Sequence, residues 1–160
     1  MKTFRRNRNV TLDTSVLIAW VITKDENSIV KKVVTKSITD DRLMLTDVIY
    51  EECLKYADKR KSKTSKDEIS EKLTILSPNV VKISPIPPDE ELLKKYKIGD
   101  TNDLKILYSV EMTDSVILVT YDDDFSDIEG VRAKIWSPVE YLYENEIEEG
   151  LLRRFSRKRK

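Results

Sequence analysis

Short apolar segments alternate with helical stretches along most of the chain, and this alternation constrains the fold more than any other feature. Five segments are short and rich in leucine or β-branched residues, as expected of buried strands: Val10–Leu12, Leu43–Leu45, Val80–Ile83, Val116–Thr120 and Ala133–Trp136. Strands separated by helices indicate a parallel sheet with helices on both faces. We therefore predict a three-layer α/β/α architecture with a central parallel sheet of about five strands, in one domain over residues 1–160.

The stretches between and after these strands carry helical patterns. They are Ser15–Val21, Ser28–Ile38, Asp47–Arg60, Lys66–Leu76, Asp89–Tyr96, Asn102–Met112 and Pro138–Glu149. The proline-rich segment "SPIPPDEE" at 84–91 predicts a rigid bend before a helix that has acids in its first turn.

Composition excludes several kinds of chemistry. The chain has no histidine and one cysteine, Cys53, so an intrachain disulfide, a histidine general base, a Ser-His-Asp triad and histidine-ligated zinc are all excluded. The remaining options are carboxylates, hydroxyls, lysine, arginine and a metal held by oxygen ligands. The sequence contains neither an apolar run long enough to span a membrane nor a recognisable signal peptide, so we expect a cytoplasmic protein.

The net charge is zero, but the cations are unevenly distributed. Residues 1–8 hold four cations and residues 153–160 hold six, while neither segment contains an acid. We expect these segments to be flexible basic tails on an acidic body. They are either simply solvated or able to bind a polyanion.

Four acids occupy positions where ligands gather in parallel α/β sheets, beyond the carboxyl ends of the strands. Asp13 and Asp122 directly follow predicted strands, Glu52 lies on the helix after the second strand, and Asp103 opens a later helix. Because two like charges about 4 Å apart repel by about 4 kcal/mol at an effective dielectric near 20, converging carboxylates require a neutralising cation. All-oxygen ligands favour Mg²⁺ or Mn²⁺, and such ions assist phosphodiester hydrolysis by activating water.

Helical spacing distinguishes Glu52 from its neighbour Glu51. Glu52 is four residues from both Val48 and Tyr56 and falls within an apolar stripe, whereas Glu51 shares a face with Lys55 and other charged residues. We therefore expect Glu52 to point towards the core and Glu51 towards solvent.

The helix that begins near Asn102 gives a similar pattern. Asp103 shares its face with Ile106, Leu107 and Val110, and the polar face is expected to hold Asn102, Lys105 and Ser109. Asp100 lies just before this helix, where it either caps the helix or reaches the same pocket.

Taken singly, each acid also has a structural explanation. Asp13 can cap the first helix, Asp122 can cap a turn, and Asp103 can interact with a helix dipole. Glu52 can pair with a lysine or arginine elsewhere in the chain. The joint arrangement is harder to explain structurally than any one member.

Several motifs occur in the order found in one known family. They are "VTLDTSVLI", "TDVIYEECLKY", "DTNDLKILYSV", "LVTYDDDFSDI" and "KIWSPVEYL". On these motifs the chain resembles PIN-domain ribonucleases, especially the VapC-type toxin branch and its archaeal relatives. In the second motif the family's acid lies six positions after the starting Ser or Thr, which again selects Glu52. Lys105 and Tyr108 depart from the small apolar residues that are common in the third motif.

The resemblance implies an endoribonuclease with one or two Mg²⁺ or Mn²⁺ ions and in-line attack of water on RNA. Carried over by position, the metal-binding acids are Asp13, Glu52, Asp103 and Asp122. Asp100 and Asp124 become possible auxiliaries, while Ser15 and Thr120 orient the acids or the attacking water. Family members of the toxin type have an antitoxin protein partner and often form homodimers. Both are therefore expected here.

An acidic site needs basic surroundings if it is to hold RNA. The expected RNA-binding cations are Lys59, Arg60, Lys61, Lys63, Arg153 and Arg154.

Other acidic α/β proteins fit less well. A haloacid-dehalogenase-type phosphatase requires a second aspartate where this chain has Ser15, and a receiver domain requires an acidic pair near the first strand. A PIN fold that binds RNA without cleaving it, as an RNA-processing scaffold, stays open as the alternative function.

Overall fold

The computed structural model describes residues 7–59, 64–97, 101–125, 128 and 130–144. Within these ranges the strands are β1 (Asn9–Leu12), β2 (Arg42–Met44), β3 (Ile117–Val119) and β4 (Lys134–Trp136). The helices are α1 (Thr14–Ile22), α2 (Ile29–Thr39), α3 (Asp47–Tyr56), α4 (Lys66–Leu76), α5 (Asp89–Lys95), α6 (Thr101–Met112) and α7 (Pro138–Leu142). A short 3₁₀ turn covers Asp123–Phe125.

The four strands form one parallel sheet in the order β2-β1-β3-β4. Val10 is aligned with Leu43 on one side and with Ile117 on the other, so β1 and β3 occupy the centre. Every residue of β3 is buried, as expected of a central strand covered on both faces. The predicted α/β architecture with a parallel sheet is confirmed.

The predicted strand at Val80–Ile83 is absent as a strand. Its Val81 forms an isolated parallel bridge with Thr46, and the amides of Ile83 and Ser84 donate to the carboxylate of Asp47 at the start of α3. Because the side chain of Asp47 takes these donors, the segment cannot extend a backbone ladder. The prolines at 85, 87 and 88 then prevent pairing further along the chain.

Two predicted helices differ from the structure at their ends. Helix α3 ends at Tyr56, and a turn follows in place of the predicted continuation towards Arg60. Helix α7 begins at Pro138 as predicted, with a capping box between Ser137 and Glu140. Residues 145–149 of that predicted helix lie outside the described part of the chain.

The segment before β1 is held by a buried ion cluster. Arg8 pairs with Asp41 and with Glu144, while Lys36 also reaches Glu144 at 2.8 Å. The hydroxyl of Tyr141 donates to Asp41 at 2.6 Å. Arg8, at the end of the predicted basic tail, therefore belongs to the folded body, whereas residues 1–6 and 145–160 lie outside the described residues.

One continuous apolar core runs from the central strands into α1, α2, α3, α4 and α6. Its largest fully buried side chains include Tyr96, Tyr141, Phe125, Leu17 and Leu104. Of the helices that the structure describes, none has the length and apolar character to cross a membrane.

Candidate metal centre

Adjacent parallel strands bring the first and fourth motifs to the same edge of the sheet. The amide of Asp13, directly after β1, donates to the carbonyl of Val119 at the end of β3, at 2.9 Å. Thr120 and Asp122 follow Val119 in the chain. The acids after these two strands are thus fixed beside each other by the backbone ladder, at the point where the strand order reverses.

Asp13 both caps α1 and faces the site. Its Oδ1 accepts a 2.7 Å hydrogen bond from the amide of Thr14. Its Oδ2 accepts from Ser15 at 3.0 Å and from Thr120 at 2.7 Å. Three donors therefore fix the orientation of a buried carboxylate, and the two roles use different oxygens.

Three other aspartates converge next to this position. Asp103, Asp122 and Asp124 each offer a carboxylate oxygen, and these oxygens all lie within 4.8 Å of one another. Asp103 is buried, Asp122 is half-buried and Asp124 is exposed, so the cluster opens from the core towards solvent. The hydroxyl of Thr120 accepts from the amide of Asp122 at 2.9 Å and thereby links this cluster to Asp13.

Glu52 approaches from the α3 side. Its Oε2 accepts a 2.8 Å hydrogen bond from the hydroxyl of Thr14, while its buried Oε1 has no hydrogen-bond partner among the described residues. Glu51, one residue earlier, is exposed. The predicted distinction in facing between the two glutamates is therefore observed.

Desolvation by burial is the largest cause of the pKa shifts of Asp13, which is buried, and of Glu52, which is half-buried. It raises the pKa of Asp13 despite the hydrogen bonds from Thr120, Ser15 and Thr14, and the charge of Asp122 raises it further. Burial likewise raises the pKa of Glu52, Thr14 opposes this, and the charge of Asp13 adds to it. Carboxylates that are buried side by side in this way favour protonation or a bound cation.

The model of the PIN domain family matches residues 10–131. The chain belongs to the PIN domain family. The solved structures that share the fold include two VapBC structures. A Rickettsia felis VapBC2 structure, bound to a DNA fragment from the promoter, matches 80% of this chain and 98% of its own, with 19% identity and a TM-score of 0.59. A VapBC-1 structure from nontypeable Haemophilus influenzae matches 82% of this chain and 98% of its own, with 18% identity and a TM-score of 0.50. Comparison with curated proteins by sequence gives no significant match.

The PIN sequence motifs assign no role to Thr14 and Lys105, two residues that act on Glu52 in the structure. Thr14 fixes Glu52 by a hydrogen bond, and the only sequence signal for it was a hydroxyl residue in the first turn of α1. Lys105 acts on Glu52 electrostatically and lowers its pKa, although burial outweighs it. Neither residue was among the predicted site residues.

The predicted polar face of α6 was wrong in one respect. Ser109 is fully buried, and its hydroxyl forms a 2.8 Å hydrogen bond with that of Thr46, the N-cap of α3. The face shared by Lys105 and Ser109 therefore packs against α3 and is not a solvent face, because a serine can be buried once its hydroxyl finds a partner.

Several predicted residues lie outside the described part of the PIN domain. They are the auxiliary Asp100 and the cations Arg60, Lys61, Lys63, Arg153 and Arg154. Lys59 is described, is exposed, and places its ammonium 5.2 Å from the centre of the Tyr56 ring.

The donor set suits a hard divalent cation. All of the candidate ligands are carboxylate oxygens, three of them already lie close together, and Glu52 presents a buried oxygen that has no hydrogen bond among the described residues. A buried anionic oxygen without a donor costs free energy unless a cation binds it. The residues present therefore fit Mg²⁺ or Mn²⁺ better than softer ions that prefer sulfur or imidazole.

Proposed function

We propose that this PIN-domain protein is a metal-dependent endoribonuclease that hydrolyses RNA phosphodiester bonds. The observation that carries the proposal is the convergence of Asp103, Asp122 and Asp124 within 4.8 Å, next to a buried Asp13 that is oriented by three donors. Asp13, Glu52, Asp103 and Asp122 are the proposed metal-binding acids, and Asp124 assists them.

The side chains around the acids have positioning roles in this scheme. Thr120 donates to Asp13 and accepts from the amide of Asp122, so it fixes the spacing of two proposed ligands. Ser15 donates to Asp13, and Thr14 orients Glu52. These acids would hold a divalent ion, which would lower the pKa of water and neutralise phosphate charge. The protein contributes a preorganised set of oxygens, which saves reorganisation during the reaction.

The proposed partners are an antitoxin protein, RNA and a second copy of this chain. The VapC-type motifs and the VapBC names of the two solved structures support a toxin role, with a small antitoxin protein as partner. We further propose a homodimer that acts in the cytoplasm on RNA. The expected basic groups are Lys59 and the cations outside the described residues.

The decisive test is RNA cleavage by purified wild type, Asp13→Asn and Asp103→Asn, each with Mn²⁺ and with chelator. Asp25→Asn is the control, because this exposed aspartate lies in the turn between α1 and α2, outside the acidic site. We expect Mn²⁺-dependent cleavage by wild type and by the control. The two site variants should lose at least about 100-fold, because replacing a ligand should cost no less than the roughly 10- to 100-fold typical of residues that only support a ligand.

Two results would count against the proposal. Equal cleavage by wild type and both site variants would place the activity elsewhere. RNA binding by wild type without cleavage under any metal condition would favour the scaffold alternative.

A further inference from the structure

Lys105 lies on the face of α6 that packs against α3. Residues four apart on a helix share a face, and Ser109, four residues after Lys105, forms a buried hydrogen bond with Thr46 at the start of α3. Glu52 lies six residues after Thr46 along α3. The packing of α6 on α3 therefore puts Lys105 on the Glu52 side of the acidic site.

The ammonium of Lys105 has no ion-pair partner among the described residues. Lys31, Lys36 and Lys105 are the half-buried lysines among the described residues. Lys36 pairs with Glu144 at 2.8 Å, and Lys31 lies 5.2 Å from the centre of the Trp20 ring. Lys105 forms no ion pair within 4.0 Å in the described part of the chain. A long cationic side chain that is partly desolvated and lacks a direct partner is available to an anionic ligand.

The charge of Lys105 nevertheless acts on Glu52. It opposes the rise in the pKa of Glu52, and its effect exceeds that of Lys55, which lies on the same helix as Glu52 but is exposed. Exposed charges are screened by salt more strongly than partly buried ones. Lys105 is thus a half-buried cation near Glu52, whereas Lys55 is an exposed one.

We propose that the ammonium of Lys105 binds a phosphate oxygen of the RNA and, by its positive charge, weakens the binding of a divalent metal ion near Glu52. This inference rests on the proposed nuclease function and adds a substrate-binding residue to it. An ammonium donates hydrogen bonds to a phosphate as a point charge. The same charge repels a divalent ion, so Lys105 has opposite effects on the two ligands.

These opposite effects give a sharp test. We would titrate RNA-free wild type, Lys105→Gln and Lys55→Gln with Mn²⁺ by calorimetry, and measure RNA cleavage at saturating Mn²⁺. For Lys105→Gln we expect a Kd for Mn²⁺ about fivefold to tenfold lower, since one like charge leaves a partly buried site. We also expect a several-fold higher KM for RNA, and Lys105→Arg should restore most of the RNA affinity. Lys55→Gln should change each quantity by less than about twofold at physiological salt.

If Lys105 had only a structural role, Lys105→Gln would weaken metal binding and RNA binding together through partial unfolding. Such a result, or equal effects of Lys105→Gln and Lys55→Gln, would overturn the inference while leaving the nuclease proposal intact. If wild type cleaves no RNA but Lys105→Gln still binds Mn²⁺ more tightly, the nuclease proposal and the RNA-binding half of this inference fail, and the charge effect on the metal site stands.

Discussion

Replacing Glu52 by glutamine should stabilise the metal-free protein and remove most of its stabilisation by metal. The Oε1 of Glu52 is buried without a hydrogen-bond partner among the described residues, and Asp13 adds a second negative charge nearby. Glutamine keeps the size of the side chain and retains an oxygen that can accept from Thr14. It removes a partly buried charge that Thr14 and Lys105 offset only in part in the metal-free protein.

The size of this effect follows from one buried unsatisfied polar atom. Such an atom costs about 1 to 3 kcal/mol, and part of that is regained when the charge is removed. We therefore expect a gain of about 1 to 2 kcal/mol, or about 2 to 8 °C in Tm for a domain of this size. Saturating Mn²⁺ at about 100 times its Kd should stabilise wild type by about 2.7 kcal/mol, and Glu52→Gln should lose most of this gain.

Thermal unfolding with chelator and with Mn²⁺ measures both quantities. Glu51→Gln is a matched control, because it makes the same chemical change one residue earlier at an exposed position of α3. It should shift Tm little and keep the full response to Mn²⁺. The reasoning is refuted if Glu52→Gln lowers the Tm of the metal-free protein, or if it responds to Mn²⁺ as strongly as Glu51→Gln does.

Three further predictions concern the fold and its pH dependence. Gly130→Ala should destabilise the protein by about 1 to 3 kcal/mol in urea unfolding. Gly130 has a φ of +89°, and a Cβ there would lie 2.7 Å from the carbonyl oxygen of Lys95. An unchanged urea midpoint would contradict this prediction. Arg8→Met should lower the free energy of unfolding by about 3 kcal/mol, because it leaves the buried acids Asp41 and Glu144 without their arginine partner. A decrease below about 0.5 kcal/mol would mean that the ion cluster does not stabilise the fold. The raised pKa of Asp13 means that its contribution to stability is full below the pKa of the unfolded chain and is lost as pH rises through the folded pKa. In chelator, the stability of wild type relative to Asp13→Asn should therefore fall as pH rises above about 4, the pKa of an unfolded aspartate. A difference that does not change with pH would argue against a pKa of Asp13 that is raised by burial.

The sequence predicted the sheet and the acids near it because both depend on local patterns. Buried strands are marked by runs such as "VILV", and a carboxylate directly after a strand is placed at the sheet edge by chain geometry alone. The i, i+4 spacing also predicted that Glu52 faces the core and Glu51 faces solvent, because helical spacing is a local pattern too. These features need no knowledge of what packs against them.

The misses arose where a tertiary contact overrode the local pattern. The β-branched run at 80–83 looks like a strand, but the carboxylate of Asp47 accepts from the amides of Ile83 and of Ser84 just after it. Ser109 looks solvent-facing until Thr46 provides a buried partner. The sequence places Lys105 on a polar helix face and marks it as a departure from its motif, but its relation to Glu52 depends on how α6 packs on α3. Side-chain partners on a different element leave no periodic signal in the sequence.

The central claim is that the acids at the carboxyl edge of β1 and β3 bind a divalent cation. Anomalous diffraction from crystals soaked in Mn²⁺ tests this most directly, since it locates the ion without relying on activity. The account predicts a strong peak bound by the carboxylates of Asp103 and Asp122, and the loss of that peak in Asp103→Asn. A fully occupied Mn²⁺ bound elsewhere, with no peak at these acids, would contradict it.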